Sequence, residues 1–475
     1  MTDLWPAPFH PSPVRGSVDV PGSKSLMARF LITAALGEAG TAGRIVAPLR
    51  ARDTELMACA LADMGVGVAW QRGATEAEDI LDISPAPLHG ATIDAGLAGT
   101  VMRFVPPLAA FARGEVVIDG DDAARVRPMD PVVRALRDLG VEVDAASDSA
   151  GRAVLPVRVH GQGHLAGGTV EIDSSASSQF ISALLLAGPR CEGGLVLRSV
   201  GPKVPSAFHL AMTVDVLRRA GIQVEEFAAG GAPADREHPA VEWHVHPGIP
   251  QLGTVVLEPD LSNASPFLAA AMVTGGTVEI PRWPERTTQP GAQIVDIFTA
   301  MGARAHLRAD GVLELTGPRN ISPLDADLSD VGELTPTIAA VAAFATGPSA
   351  LRNIGQLRGH ETNRLAAITA ELSGVGIPAR EEGDDIIITP PAVSSAAAGE
   401  AAAPGTPGAA SAAASAQPAA PEPHNPIIRS YEDHRMATFG AILGLRIPGL
   451  RVENIATTGK TMPRFAQMWT DLVDR

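Results

Sequence analysis

The chain has 475 residues, more than one hydrophobic core usually serves, so two or more domains are expected. It is 45% hydrophobic, with no apolar run near the roughly 18 residues of a membrane-spanning helix and no basic-then-apolar leader at its start, so a soluble protein off the membrane is expected. A net charge of −16 speaks against nucleic acid, which is gripped by broad basic surfaces, but leaves room for small anions that respond to local potential.

Cys59 and Cys191 supply neither a disulfide framework nor a zinc cluster, which points to a reducing cytoplasm. Of 37 Lys+Arg residues only three are lysines: Lys24, Lys203 and Lys460. Arg-rich codon usage explains the arginine excess but not the survival of these three. A compact ammonium is a point charge that a guanidinium cannot imitate, and all three sit in Gly/Ser/Pro-containing stretches where ligand loops occur.

The first such stretch, Pro21-Gly22-Ser23-Lys24-Ser25, feeds an apolar-periodic helix over 26–36. Such a turn offers free backbone N–H groups, hydroxyls and an ammonium to a phosphate or carboxylate, and Arg29 shares a helical face with Ser25. It lacks the glycine spacing of a Walker A loop, and an ordinary capped helix remains open. A recurrent phrase then begins, a helix closed by glycine and followed by a strand. It centres on Gly65, Gly140, Gly221, Gly302 and Gly376, between 74 and 81 residues apart. Five copies, with room for a sixth, imply a repeated α/β unit.

Ala98-Gly99-Thr100-Val101-Met102-Arg103 is a second small-residue turn entering a helix, where Gly99 admits close approach of a ligand. Arg127 stands at the next helix start, as binder or cap. Ser174, Ser175, Ser177 and Ser178 with Gln179 give four hydroxyls and an amide where an N-cap needs one, favouring a phosphate or polyol loop. The stretch 173–180 is echoed at 260–267, and Gly-Gly-Thr-Val-Glu-Ile occurs at both 167–172 and 275–280, so the two halves resemble each other. In the second half, His360, Glu361 and Arg364 cluster, as do Asp433, His434 and Arg435, and Lys460 follows. Either set could be a solvated face or an anion clamp, since arginine binds carboxylate and phosphate bidentately. Residues from about 391 to 426 are almost entirely Ala, Pro, Gly and Ser, a composition that cannot offset its ordering entropy and reads as a disordered surface insertion.

No metal is expected: the histidines are scattered, and glycines separate His160 from His164. Neither a dinucleotide fingerprint nor a hydrolase elbow is present, so no cofactor is called for.

Together the motifs Pro-Gly-Ser-Lys-Ser, Ala-Gly-Thr-x-x-Arg, Ser-Ser-Gln-Phe, His-Glu-Thr-x-Arg, Asp-His-Arg-Met and Lys-Thr closely resemble those of the 5-enolpyruvylshikimate-3-phosphate synthase (3-phosphoshikimate 1-carboxyvinyltransferase) family, in order along the chain. The resemblance implies an inside-out α/β barrel in two domains, each of three βαβαββ units. One domain takes residues 1–20 plus 251–475 and the other 21–250. It implies transfer of the enolpyruvyl group of phosphoenolpyruvate to the hydroxyl of shikimate-3-phosphate, with release of phosphate, in a cytoplasmic, glyphosate-sensitive monomer that needs no cofactor.

By that resemblance Lys24, Ser25, Arg29, Ser177, Ser178, Gln179, Ser206, Glu333 and His360 hold shikimate-3-phosphate. Lys24, Gly99, Arg127, Gln179, Arg364, Arg435 and Lys460 hold phosphoenolpyruvate. Glu333 corresponds to the general base, with Asp330 as rival, Glu361 to the proton-transfer group at the methylene carbon, and Lys24 reaches both substrates. The chain departs from the family pattern in Glu333 for aspartate, His360 for lysine, His209 for a stacking tyrosine, and Leu97 and Gln356 for asparagines. His360 is expected to make a pH-sensitive contact. The sister enzymes acting on UDP-N-acetylglucosamine carry an Asn after the first lysine and a loop cysteine. Here Ser25 follows Lys24 and residues 121–128 hold no cysteine. A non-catalytic anion-binding protein would lack an acid or base, and both glutamates are present.

Overall fold

The computed structural model describes residues 3–173, 175, 177–201, 207–235, 238–391 and 426–474. Ser174, Lys203, Ser206 and nearly all of the Ala/Pro-rich stretch lie outside them. The described residues form a mixed α/β protein with six small sheets, five of four strands and one of three.

One sheet shows the rule for the rest. His89–Asp94 pairs in parallel with Arg113–Asp119 across the helix Gly99–Ala109, and Arg113–Asp119 then pairs antiparallel with Ala153–Gln162. Glu142–Ser147, reached through the helix Asp130–Asp138, closes the edge. Each helix covers an apolar sheet face, as parallel pairs require. The five phrase glycines all take left-handed backbone, with φ between 81° and 105°, at the ends of such helices. Only glycine holds that conformation without steric cost, and it is the sequence mark of the repeat.

Two sheets exchange their first strands. Arg15–Ser17 pairs with Thr277–Ile280, from the distant half, while Thr254–Val256 pairs with Gly43–Val46. The chain therefore crosses between halves twice, and the crossings lie side by side. Ser23 N–H donates to the Glu258 carbonyl (2.8 Å), and Asp260 N–H donates to that of Pro21 (2.8 Å). A Cβ on Gly22 would press on the Leu257 side chain and lie 3.0 Å from the Ala47 carbonyl oxygen, so the close approach favours glycine there. The N-terminal strand Leu4–Pro6 completes the last sheet by pairing with Arg451–Glu453.

Two separate apolar clusters result. One is built from residues between Leu26 and Leu257; the other joins Ala7, Val14, Val18 and Val20 to residues from Leu261 to Val473. Helix N-termini from both clusters face each other beside the crossings, where Lys24 begins its helix.

Candidate active site

Ser23 caps the helix Lys24–Ala35, its Oγ accepting the Leu26 N–H, which puts Lys24 and Ser25 at the open N-terminus. Lys24 N–H donates to Asp260 Oδ2 (3.2 Å), while Asp260 Oδ1 accepts from Asn263 N–H (2.9 Å) and caps the helix Leu261–Thr274. One carboxylate thus ties the first turns of two helices, one from each half. Lys24 Nζ donates to the buried Asp53 (3.1 Å).

Two small adjoining cavities, about 100 and 140 Å³, lie at this junction. Both are lined by Ser25, Gln179, His209, Glu333 and His360. Arg29, Ser177, Ser178 and Gln356 complete the first; Lys24, Glu361, Arg364, His434 and Arg435 belong to the second. Gly99 sits against the same wall: a Cβ there would lie 2.8 Å from the Arg103 guanidinium and 3.1 Å from those of Arg127 and the Gln179 amide oxygen. Lys460 joins through Glu361, to which its Nζ donates (2.8 Å). Of the expected binding residues, then, all the described ones converge. Asp330 does not: it is exposed and lines a different cavity beside Phe208 and Ser329.

The electrostatics differ from group to group. Arg29 is 2% exposed, and its four hydrogen bonds go to the Thr213 and Ser182 hydroxyls and to the carbonyls of Ser25 and His209. With no carboxylate near, burial lowers its pKa to about 9. Arg103, also buried, donates to Gln179 Oε1 (2.8 Å); Arg127 donates to the Leu97 carbonyl (3.1 Å) and Arg435 to that of Ser262 (2.9 Å). None of these four guanidiniums forms a salt bridge with a described residue. Arg364 is different, donating twice to the buried Asp433 (2.7 and 3.1 Å) and once to Glu361 (3.0 Å).

Glu333 and Glu361 are perturbed in opposite directions. Burial raises Glu333 above the ordinary carboxylate value, opposed by Arg435 and Arg364, and its Oε1 is buried without a hydrogen-bond partner among the described residues. Burial pushes Glu361 up as well, but Lys460, Arg364 and Arg127 together hold it well below the ordinary range.

The expectation of a pH-sensitive contact at His360 is corrected. Burial and the Arg364 charge push its pKa down, away from neutrality, so the ring stays uncharged near pH 7. His209 is pushed down to about 3, by burial first and then by Arg29.

Sequence reasoning did not assign Asp53, Arg103, Asp260 or Asp433. Arg103 had a readable signal, since Arg29-Phe30 and Arg103-Phe104 are the same dipeptide in successive repeats, and Gln179-Phe180 occupies the third. In the folded chain these positions interlock, with Arg29 over the Phe104 ring and Arg103 over that of Phe180.

A profile of the family described as EPSP synthase (3-phosphoshikimate 1-carboxyvinyltransferase) matches residues 9–469. The chain belongs to this family. A 3-phosphoshikimate 1-carboxyvinyltransferase of Kocuria rhizophila is 49% identical over 99% of this chain and 97% of its own length. Among solved structures, an EPSP synthase from Acinetobacter baumannii superposes with a TM-score of 0.73 at 22% identity, covering 100% of this chain and 98% of that one. The enolpyruvyl transferase NikO from Streptomyces tendae reaches 0.69 at 17% identity, covering 99% and 97%. These structural likenesses establish the enolpyruvyl transferase fold. No helix among the described residues is long and apolar enough to cross a membrane.

Proposed function

We infer that this protein transfers the enolpyruvyl group of phosphoenolpyruvate to a hydroxyl of shikimate-3-phosphate and releases phosphate. The observation that carries the inference is the set of four arginines, Arg29, Arg103, Arg127 and Arg435, around one junction with only neutral hydrogen-bond partners. Arg29 and Arg103 are buried, and a desolvated charge without a salt bridge is costly, so a site that keeps such groups is built for anionic ligands. Two anions that must touch need this concentration of cations.

In this reading Lys24, Ser25, Arg29, Ser177, Ser178, Gln179 and His360 surround shikimate-3-phosphate, and the family resemblance adds Ser206, which lies outside the described residues. Gly99, Arg127, Arg364, Arg435 and Lys460 surround phosphoenolpyruvate, and Lys24 and Gln179 border both. Arg103 holds Gln179 in place. Glu333 takes the proton of the attacking hydroxyl as oxygen bonds to the enol carbon, while the methylene carbon gains a proton from Glu361. Proton return and loss of phosphate from the resulting ketal complete the transfer.

Glu361 is ionised in the free protein because Lys460 and Arg364 clamp it. The carboxylate and phosphate of phosphoenolpyruvate compete for those same cations. Binding therefore raises the Glu361 pKa and makes it an acid when a proton is needed. We also propose that the crossings separate two closing domains, the first break at 20–21 and the second at 258–260, since 254–256 pair with the first half. The monomeric state and cytoplasmic location belong to the same reading.

The test is phosphate release from phosphoenolpyruvate with either shikimate-3-phosphate or UDP-N-acetylglucosamine as acceptor. Release with shikimate-3-phosphate alone is expected; release only with the sugar nucleotide overturns the reading.

A further inference from the structure

His360 follows the short helical turn Gly355–Gly359 and lines both cavities, so it stands where the two substrates would meet. Its side chain keeps 35% of its surface accessible, although Arg364 and Glu361 close off one edge of the ring. On that edge Nδ1 lies 3.2 Å from Arg364 Nη1. A guanidinium nitrogen has no acceptor capacity, so this hydrogen bond exists only if Nδ1 is the unprotonated acceptor. The imidazole proton then resides on Nε2, for which no partner is found among the described residues.

Arg364 is itself held on several sides. It is 3% exposed, and Asp433 and Glu361 fix the rest of its fork. Protonating Nδ1 would break the Arg364 bond and set two positive groups against each other. The charged or titratable groups that act most on the ring are Glu361 from its own segment, with Oε2 4.0 Å from Nδ1, and Arg127, Arg103 and His209 from the first half; Glu333, Lys24, His434 and Arg435 also line the cavities it borders. One carboxylate already claimed by Lys460 and Arg364 stands against three arginines.

We propose that His360 is a tautomer-locked, uncharged hydrogen-bond donor: Arg364 fixes Nδ1 as acceptor, and Nε2–H is the contact offered to a hydroxyl or phosphate oxygen of the phosphorylated acceptor. It sets position without adding charge to a site already rich in cations, and Arg364 is its positioning residue. This rests on the acceptor-site reading given above.

Two substitutions separate the ring nitrogens. In His360→Gln the amide nitrogen reaches near the Nε2 position, whereas in His360→Asn it reaches only near Nδ1. The KM for shikimate-3-phosphate stays within about threefold of wild type in the first and rises about tenfold in the second. Wild-type KM is flat from pH 6 to 8. Equal KM in the two variants, or a KM that rises as pH increases through about 6.5, overturns the proposal. An independent readout needs no substrate: nitrogen NMR of the histidine-labelled protein, with His360→Gln for assignment. It shows Nδ1 unprotonated and Nε2 protonated at pH 6, and Arg364→Gln removes that preference. A doubly protonated ring at pH 6 contradicts the lock. No turnover with shikimate-3-phosphate in the wild type sinks the acceptor reading while the NMR result still stands or falls alone.

Discussion

In the first half of the molecule Arg29, Arg103 and Arg127 reach the junction with only hydroxyl, amide and carbonyl partners, and Lys24 alone is closed on a carboxylate. In the second half Arg364 and Lys460 are closed on Asp433 and Glu361, and Arg435 alone is left to neutral partners. The same charge type is thus handled in two ways. The first half carries uncompensated positive potential that an anion meets at full strength. The second half is more nearly balanced, and in the proposed reading an anion bound there competes with Glu361 for its cations and so makes that glutamate an acid. In the proposed reading both halves contribute binding residues, while both proton-transfer glutamates, Glu333 and Glu361, lie in the second.

The largest effect that could break this contrast concerns Glu333, a second-half carboxylate for which no salt bridge is found among the described residues. Glu333→Gln lowers kcat by about 10²–10⁴-fold, measured in steady state with both substrates saturating. Because burial raises its pKa, and a base works only when ionised, wild-type kcat falls on the acid side through a pKa above the ordinary value of 4.5. The limb is absent from the residual activity of the Gln variant. A smaller effect sharpens the first-half side. Gly99→Ala places a methyl against Arg103, Arg127 and Gln179, and the KM for phosphoenolpyruvate rises about tenfold while that for shikimate-3-phosphate moves less. Equal changes in both would merge two sites that are kept apart here. Deleting residues 397–420 has the smallest effect, with both KM values unchanged, because Ala/Pro/Ser-rich sequence supplies no apolar packing.

The unit repeat was legible because it is written in local chemistry. Left-handed turns need glycine, and Gly65, Gly140, Gly221, Gly302 and Gly376 occur at near-constant spacing. Lys24 was legible through its rarity and its turn. The partners that decide the electrostatics were not. Asp53 lies 29 residues from Lys24 and Asp433 lies 69 from Arg364, separations at which one sequence holds no pairing signal. The neutral state of His360 was hidden for a related reason: Arg364 is only four residues away, but the geometry that makes Nδ1 its acceptor comes from a non-helical turn before the helix Arg364–Gly374. The family resemblance named candidate binding residues, yet it could not say which cations arrive paired.

That distinction is open to direct measurement by denaturant unfolding of Arg29→Met and Arg364→Met, each with and without substrates. Removing Arg364 leaves Asp433 buried and unpaired, so the free protein loses about 3–5 kcal/mol. Removing Arg29 takes away a buried charge with no counter-ion, so the free protein is unchanged or more stable, while the stabilisation by shikimate-3-phosphate is lost. Destabilisation of similar size in both variants would contradict the division between a half that waits for anions and a half that is already paired.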